Sequence, residues 1–121
     1  GEPRIEFAIA GGYHSHADIH GFKIRFHHGH NVRYQGGVGG ITIPVRKAIA
    51  QWNKSGQVDA DCFGHFHQLV YGGNFICNGS AIGWNAFALS IKADFEKPRQ
   101  AFFLVNHRRR EVTDFSPVWL D

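Results

Sequence analysis

Two short strand-like segments, each followed by a histidine motif, flank one amphipathic helix, and this order constrains the fold most. Residues 22–26 alternate apolar and polar side chains as a strand does, and they run into the motif HHGH at 27–30. Residues 60–63 are typical of a short buried strand, and they end at GHFH, residues 64–67. Both motifs are therefore predicted at strand ends, where site residues are common.

The segment between the two motifs predicts a helix that begins near Pro44 and ends near Asn53. Proline suits the first turn of a helix, and Gly56 is a plausible stop. One buried face is indicated by apolar residues at helical spacing, namely Val45, Ala48, Ile49 and Trp52. The glycine-rich stretch at 36–40 before the helix is either a loop that lets backbone amides approach a phosphate or a flexible connection.

The rest of the chain is predicted to be β-rich. Residues 5–9 alternate as a strand and are expected to pair with 22–26. Residues 68–71 and 74–77 flank a two-glycine turn, which indicates a hairpin. Residues 101–105 and 112–120 predict a last hairpin around three arginines, and 86–91 fit either a strand or a short helix. We expect one domain over residues 1–121, of the length that can bury a core.

Composition points to metal or phosphate chemistry, because nine His in 121 residues is an unusual number. The net charge of +3 suits a polyanionic partner only weakly, and a charged turn that keeps a β-edge soluble is the favoured explanation. Cys62 and Cys77 lie in apolar runs outside any Cys-x-x-Cys pair, which favours buried, reduced thiols in a cytoplasmic protein. No apolar run reaches the length of a membrane span.

The histidines are candidate metal ligands on chemical grounds alone. His28, His65 and His67 all follow strands, and neighbouring parallel strands end at one edge of a sheet. Alternate residues of an extended GHFH segment would project both rings to one side, and imidazole nitrogen suits Zn, Mn, Fe or Ni. The alternative is that these motifs occur by chance in a histidine-rich chain and that the rings are hydrogen-bonded on its surface.

The order of strand, His-Gly-His, helix, short strand, Gly-His-x-His, hairpin and Asn-Gly-Ser resembles the calcineurin-like metallophosphoesterases. The stretches HHGHNVRYQGGVGGITIPVRKAIAQWN and GHFHQLVYGGNFICNGSAIGWNAFALSI are most similar to the phage and prophage members. The resemblance implies that His28, His65 and His67 bind a divalent transition metal (Mn, Fe, Zn or Ni), with His30 near the substrate. Asn31 and Arg33 are candidate phosphate contacts, or they anchor the loop.

The resemblance covers only the family's carboxyl-terminal half. Family members also use Asp-x-His, Gly-Asp and Gly-Asn-His motifs upstream, and none is recognisable here. The Asp18-x-His20 pattern lies too close to His28 to be the first of these, and we interpret it as a hairpin turn with His14, His16 and His20 on the rim of the site. The chain starts with Gly1 and contains no Met, so we interpret it as an excised piece.

The resemblance implies an α+β fold, the β-rich half of a four-layer α/β/β/α sandwich, with a mixed sheet and one main helix. It implies a hydrolase of phosphoester bonds, with nucleic acid among the candidate substrates, that is inactive without its amino-terminal half. The alternatives are a non-catalytic protein-interaction scaffold and a simple histidine-based metal binder. Half a sandwich leaves an apolar face, which predicts a homo-oligomer or association with the missing half.

Overall fold

The computed structural model describes residues 12–34, 36–83 and 96–121. The described elements are β1 (Ser15–Ile19), β2 (Phe22–His27), α1 (Thr42–Trp52), β3 (Ala60–Phe63), β4 (Val70–Tyr71), β5 (Phe75–Cys77), β6 (Arg99–Asn106) and β7 (Glu111–Trp119). The fold is α+β, with a mixed sheet and one helix in the described part, as the sequence predicts.

Five of the strands form sheet A, in the order β1-β2-β3-β5-β4. The three central strands β2, β3 and β5 are parallel, with Ile24 opposite Ala60 and Phe63 opposite Cys77. The edge strands β1 and β4 are antiparallel to their neighbours. The histidine motifs therefore leave the sheet at one edge, which we call the carboxyl edge because the parallel strands end there.

Strand β2 has β1 on one side and β3 on the other. The predicted pairing of residues 5–9 with this strand falls outside the described part. The described antiparallel neighbour of β2 is Ser15–Ile19, whose last residues were predicted to lie in a hairpin turn. Asp18 Oδ1 accepts a hydrogen bond from Gly21 N at 2.7 Å, so the turn itself is real but shorter.

Helix α1 covers one face of sheet A. It begins at Thr42, slightly earlier than predicted, and Pro44 still lies in the first turn, where the missing N–H costs no helical hydrogen bond. Val45 and Ile49 are buried, while Ala48 and Trp52 pack at the border of the same core cluster. Burial of each such aliphatic side chain contributes about 1.5 to 3 kcal/mol, which holds the helix on the sheet.

The hairpin β6–β7, which we call sheet B, covers the other face of sheet A. Its strands are antiparallel, with Phe102 opposite Ser116 and Val105 opposite Val112. Val112 and the inner side chains of the hairpin pack on Phe22, Ile24, Ala60 and Ile76 of sheet A. The last predicted hairpin and the one around Gly72 and Gly73 are both confirmed. The ambiguous segment 86–91 lies outside the described part.

Both cysteines are free, and Cys77 is buried while Cys62 is half-buried. Burial raises the pKa of each thiol to about 12, which leaves both protonated at neutral pH. The prediction of buried, unpaired thiols agrees with this placement. None of the described helical segments is long and apolar enough to cross a membrane.

Candidate metal centre

The two histidine motifs meet at the carboxyl edge because β2 and β3 are parallel neighbours that end side by side. His27 is in register with Phe63, so HHGH and GHFH continue from adjacent positions. Gly64 N donates to His28 O at 3.2 Å, which extends the contact beyond the last ladder pair. The convergence expected from the sequence is therefore present.

Gly29 allows the two motifs to approach this closely. Its φ is +103°, a conformation that side chains other than glycine rarely adopt. A Cβ atom at this position would lie 2.8 Å from Gly64 O and 3.2 Å from the Cβ of His65. Such a distance to a backbone oxygen is too short, so only glycine fits where the first motif crosses the second.

Three histidine rings lie together above this crossing. His28 and His65 have ring centroids 5.1 Å apart, and those of His28 and His30 are 5.2 Å apart. The Nδ1 atoms of His28 and His30 are separated by 3.2 Å. We call His28, His30, His65 and His67 the histidine cluster.

The GHFH segment is a turn, which corrects the expected extended geometry. His65 and His67 have φ values of +72° and +55°, in the left-handed region, so alternation along a strand does not orient their rings. Phe66 is buried between them in the core under α1, and Phe66 N donates to Gly64 O at 2.9 Å. Left-handed non-glycine residues cost about 1 to 2 kcal/mol each and concentrate at functional sites.

The environment of His65 favours a neutral imidazole. Burial lowers the pKa of His65, and the neighbouring His28, His30 and His67 lower it further. A neutral ring nitrogen is the form that binds transition metals. Among these neighbours, His67 acts on His65 from the same GHFH segment.

The predicted substrate contacts lie on the loop that follows HHGH. Val32 is buried in the core, and its N–H donates to Gly29 O at 3.1 Å, which turns the chain back over the strand end. Asn31 and Arg33 flank Val32 and are exposed, and neither makes a hydrogen bond or ion pair with another described residue. Their exposure beside the cluster leaves them accessible to a ligand.

The other histidines do not join this cluster. His20 lies at the opposite end of β2, where its ring is 5.1 Å from that of His107, so its predicted position on the rim of the site is wrong. His14 packs against Trp52 and His27, with ring centroids 4.7 and 5.4 Å away. His16 is exposed in β1.

A buried charged pair near the cluster was missed by sequence reasoning. Arg25 and Asp61 are 2% and 0% exposed, and Arg25 Nε lies 2.7 Å from Asp61 Oδ2. The available signal was an arginine on the polar face of β2 together with an aspartate inside an otherwise apolar β3. Alternation alone does not show that Arg25 is buried, because its burial depends on the packing of α1 over that face of β2.

The donor chemistry fits a transition metal only in part. Imidazole nitrogens suit Zn, Mn, Fe or Ni, and the rings of His30 and His65 both lie near that of His28. Within residues 12–34, 36–83 and 96–121, however, no three or more His, Cys, Asp or Glu side chains are arranged to hold an ion. The described residues thus supply donors without a complete ligand set.

Comparison with known structures identifies the fold. The chain is similar to Vps29 from Entamoeba histolytica in complex with Zn²⁺, with a TM-score of 0.57, 24% identity, and coverage of 94% of this chain and 64% of that one. The fold is metallophosphoesterase-like. A single-substitution variant of the same Vps29 matches with a TM-score of 0.58 and 22% identity, over 98% of this chain and 67% of that one.

The present chain spans about two thirds of the length of these Vps29 structures. At this identity the likeness establishes the metallophosphoesterase-like fold alone. No protein-family model and no curated protein sequence matches the chain. The Zn²⁺ in the first structure belongs to that Vps29 and is consistent with a divalent metal in proteins of this fold.

Proposed function

We propose that this chain supplies the histidine side of a metal-dependent phosphoesterase centre. His28, His65 and His67 bind a divalent transition metal, and His30, Asn31 and Arg33 contact the phosphoester substrate, for which nucleic acid is a candidate. The observation that supports this most is the crossing of the two histidine motifs at Gly29, which brings His28 within 5.1 Å of His65 between ring centroids.

A metal at this position would polarise the phosphoryl group and lower the pKa of a bound water. The residues of this chain would bind the metal and orient the phosphoester substrate. Burial and the neighbouring rings lower the pKa of His65, which favours the neutral form of that ring. Arg33 and Asn31 are exposed beside the cluster, where a guanidinium and an amide can donate hydrogen bonds to phosphate oxygens.

We further propose that this chain by itself hydrolyses phosphoesters poorly or not at all. The resemblance to calcineurin-like enzymes implies acidic ligands from Asp-x-His and Gly-Asp motifs, and the one Asp-x-His pattern here is used in the β1–β2 turn. Without a bridging aspartate the cluster cannot hold two ions about 3.5 to 4 Å apart. The partner required is a segment that carries those motifs.

Metal content tests the ligand assignment. Protein purified without a nickel column should contain about one transition metal per chain by elemental analysis, as expected for one imidazole site. His65→Ala with His67→Ala should abolish it. His16→Ala with His20→Ala is the matched control, because it removes two exposed imidazoles from outside the cluster and should leave the metal content unchanged. Equal loss in both variants, or no metal in the parent protein, would refute the assignment.

Hydrolysis of a model phosphodiester in the presence of Mn²⁺ tests the activity. The chain alone should show little turnover, and the chain joined to a segment with the Asp-x-His, Gly-Asp and Gly-Asn-His motifs should show turnover that depends on His65 and His67. If the joined protein binds metal but does not hydrolyse the phosphodiester, the phosphoesterase proposal fails and a histidine-based metal binder is the function that remains.

A second candidate function is a protein-interaction scaffold of the same fold, and the outer face of sheet B favours it. Phe102, Leu104 and Val118 point away from sheet A and are 46 to 49% exposed. An apolar stripe of this kind is typical of a contact surface. Its partner would be a second copy of this chain or the segment that completes the fold.

Analytical ultracentrifugation tests whether this surface forms a homodimer or stays exposed in a monomer. A homodimer that dissociates on Phe102→Ser with Leu104→Ser would support the scaffold. A parent protein that stays monomeric at high concentration, and whose mass is unchanged by the substitutions, would count against it.

A further inference from the structure

A buried charged cluster lies directly below the histidine motifs, on the face of sheet A that packs against α1. Arg25 Nε and Nη2 donate to the two carboxylate oxygens of Asp61 at 2.7 and 3.1 Å. Arg25 Nη2 also donates to Asn53 Oδ1 at 2.7 Å, which ties the pair to the end of α1. Bidentate pairs of this type have well-defined geometry as well as strength.

Asp61 also contacts the residue that precedes the first metal-ligand candidate. His27 Nε2 lies 3.3 Å from Asp61 Oδ2, and the His27 side chain is 4% exposed. The His27 ring stacks on Phe63, with centroids 4.9 Å apart and an interplanar angle of 11°, and meets the Trp52 ring at 4.7 Å. The His27 ring is therefore held by packing against Phe63 and Trp52 and lies beside the Asp61 carboxylate, without hydrogen-bond geometry between the two.

The position of Asp61 in the chain gives this contact its importance. Asp61 lies in β3, which leads through Phe63 into GHFH, while Arg25 and His27 lie in β2, which leads into HHGH. One carboxylate in β3 thus contacts Arg25 in β2 and His27, the first residue of HHGH. The two motifs pack closely where they cross, because a Cβ atom on Gly29 would already be 2.8 Å from Gly64 O. A small shift of either strand end would therefore change how the motifs meet.

Stability alone gives a weak reason to bury these charges. The parallel ladder already holds β2 against β3. Desolvation of an ion pair offsets most of its attraction, and buried pairs in proteins can often be replaced by apolar residues without loss of stability. Groups that fix the placement of metal-ligating residues from a second layer are, by contrast, common in metal sites. Here Asp61 would act through His27 and the ends of the strands, not on a ligand ring directly.

We propose that Asp61 is a positioning residue for the histidine cluster, which by holding Arg25 and His27 fixes the placement of His28 relative to His65. This inference rests on the proposed metal-binding function and deepens it. The pair Arg25–Asp61 does not touch the metal in this proposal. Its effect is transmitted through the last residues of β2 and β3.

The test separates positioning from stability with an apolar replacement of the pair. Arg25→Met together with Asp61→Leu keeps the volume roughly constant and should leave the melting temperature close to that of the parent protein. Affinity for Zn²⁺, measured by competition with a chromophoric chelator, should fall at least about tenfold in this variant. Unchanged affinity in a variant of parental stability would overturn the proposal.

Asp61→Asn is the second variant, because it keeps the side-chain shape and removes the charge if the double variant fails to fold. It should also weaken Zn²⁺ binding by about tenfold at temperatures well below its melting point. The matched control is Asp59→Asn, which removes the carboxylate that contacts Arg110 at the other end of β3 and should leave the affinity unchanged. Equal Zn²⁺ affinities in the parent protein, Asp61→Asn and Asp59→Asn would contradict the positioning role.

A readout on the metal-free protein distinguishes failure of this inference from failure of the proposed function. Nuclear Overhauser contacts between the His28 and His65 rings should be present in the parent protein and weakened in both Asp61 variants. If the parent protein binds no metal, the proposed function fails, and these contacts still decide whether Asp61 positions the rings. Identical contacts in parent and variants would refute positioning regardless of the metal result.

Discussion

Strand β2 has a His-Gly pair at each end, and the two ends differ in what surrounds them. His20-Gly21 precedes the strand and His28-Gly29 follows it, and both glycines have left-handed φ values, +91° and +103°. A Cβ on Gly21 would meet nothing within 4 Å, whereas one on Gly29 would meet Gly64 O at 2.8 Å. The same local sequence thus forms an open hairpin turn at one end and a tightly packed crossing at the other.

The charged pairs at the two ends differ in the same way. At the turn end, Arg110 Nε lies 3.1 Å from Asp59 Oδ1, and the Arg110 side chain is 56% exposed. At the histidine end, Arg25 and Asp61 form their pair with side chains only 2% and 1% exposed. An arginine–aspartate pair is therefore weak where water surrounds it at the turn, and it restricts the structure where it is buried below the histidine motifs.

The largest expected effect is a difference in the free energy of unfolding between variants of the two arginines. Arg25→Ala should lower the free energy of unfolding by about 3 to 5 kcal/mol, because it leaves the Asp61 carboxylate buried without its main partner. Arg110→Ala should lower it by about 0.2 to 1 kcal/mol, since water replaces the exposed partner and salt screens the pair. Urea unfolding of the two variants at neutral pH measures both values.

Arg110 also donates from Nη2 to Gly21 O at 2.9 Å, so its replacement is not a pure test of the ion pair. Arg110→Lys keeps a positive charge and serves as the control for that contact. If Arg25→Ala costs no more than Arg110→Ala, the difference in burial between the two ends has no energetic consequence.

A smaller effect is expected from the two glycines. Gly21→Ala should cost about 1 to 2 kcal/mol, the strain of a left-handed alanine in open space. Gly29→Ala should cost about 1 to 3 kcal/mol more, because the new methyl group must also displace the backbone of the GHFH turn. Thermal unfolding of both variants gives the difference.

Metal binding adds a second measurement to the glycine comparison. The displacement at Gly29 should separate His28 from His65, so Gly29→Ala should weaken Zn²⁺ binding while Gly21→Ala should not. Equal stability losses together with unchanged Zn²⁺ binding would show that the crossing is not as tight as the distance to Gly64 O indicates.

The fold was largely predictable from the sequence because local patterns decide most of it. The buried strand Ala60–Phe63, the helix with Val45 and Ile49 on its inner face, and the last hairpin all follow from periodicity and turn residues. The partner of β2 was not predictable in this way. Ser15–Ile19 has only a weak alternation, and its role is set by pairing with residues across a short turn.

The meeting of the two histidine motifs was predictable from the sequence, but the residues packed beneath them were not. The convergence of His28 and His65 follows from parallel strands that end together. The left-handed turn at His65 and His67 does not, because left-handed non-glycine residues depend on tertiary contacts such as the buried Phe66. The Arg25–Asp61 pair was also hidden, since a polar position in a strand is normally exposed and only the packing of α1 makes it buried.

The smallest expected effect is on how the free energy of unfolding falls with pH in acid. Burial would raise the pKa of Asp61, but the contacts with His27 and Arg25 outweigh it and lower the pKa. Burial would likewise raise the pKa of Asp59, but the hydrogen bond from Lys23 N and the contact with Arg110 lower it. A depressed carboxyl pKa contributes stability that is present above the unfolded value, about 3.9, and is lost as pH falls through the folded value.

Urea unfolding between pH 5 and pH 2 should therefore show a loss of stability with acid that is reduced in both Asp59→Asn and Asp61→Asn. The reduction should be greater for Asp61, because its pair is buried and screened less by salt. Starting at pH 5 keeps the remaining histidine titration common to all three proteins. A steeper acid dependence in Asp61→Asn than in Asp59→Asn would place the stronger carboxylate interaction at the turn end and reverse the contrast between the two ends of the sheet.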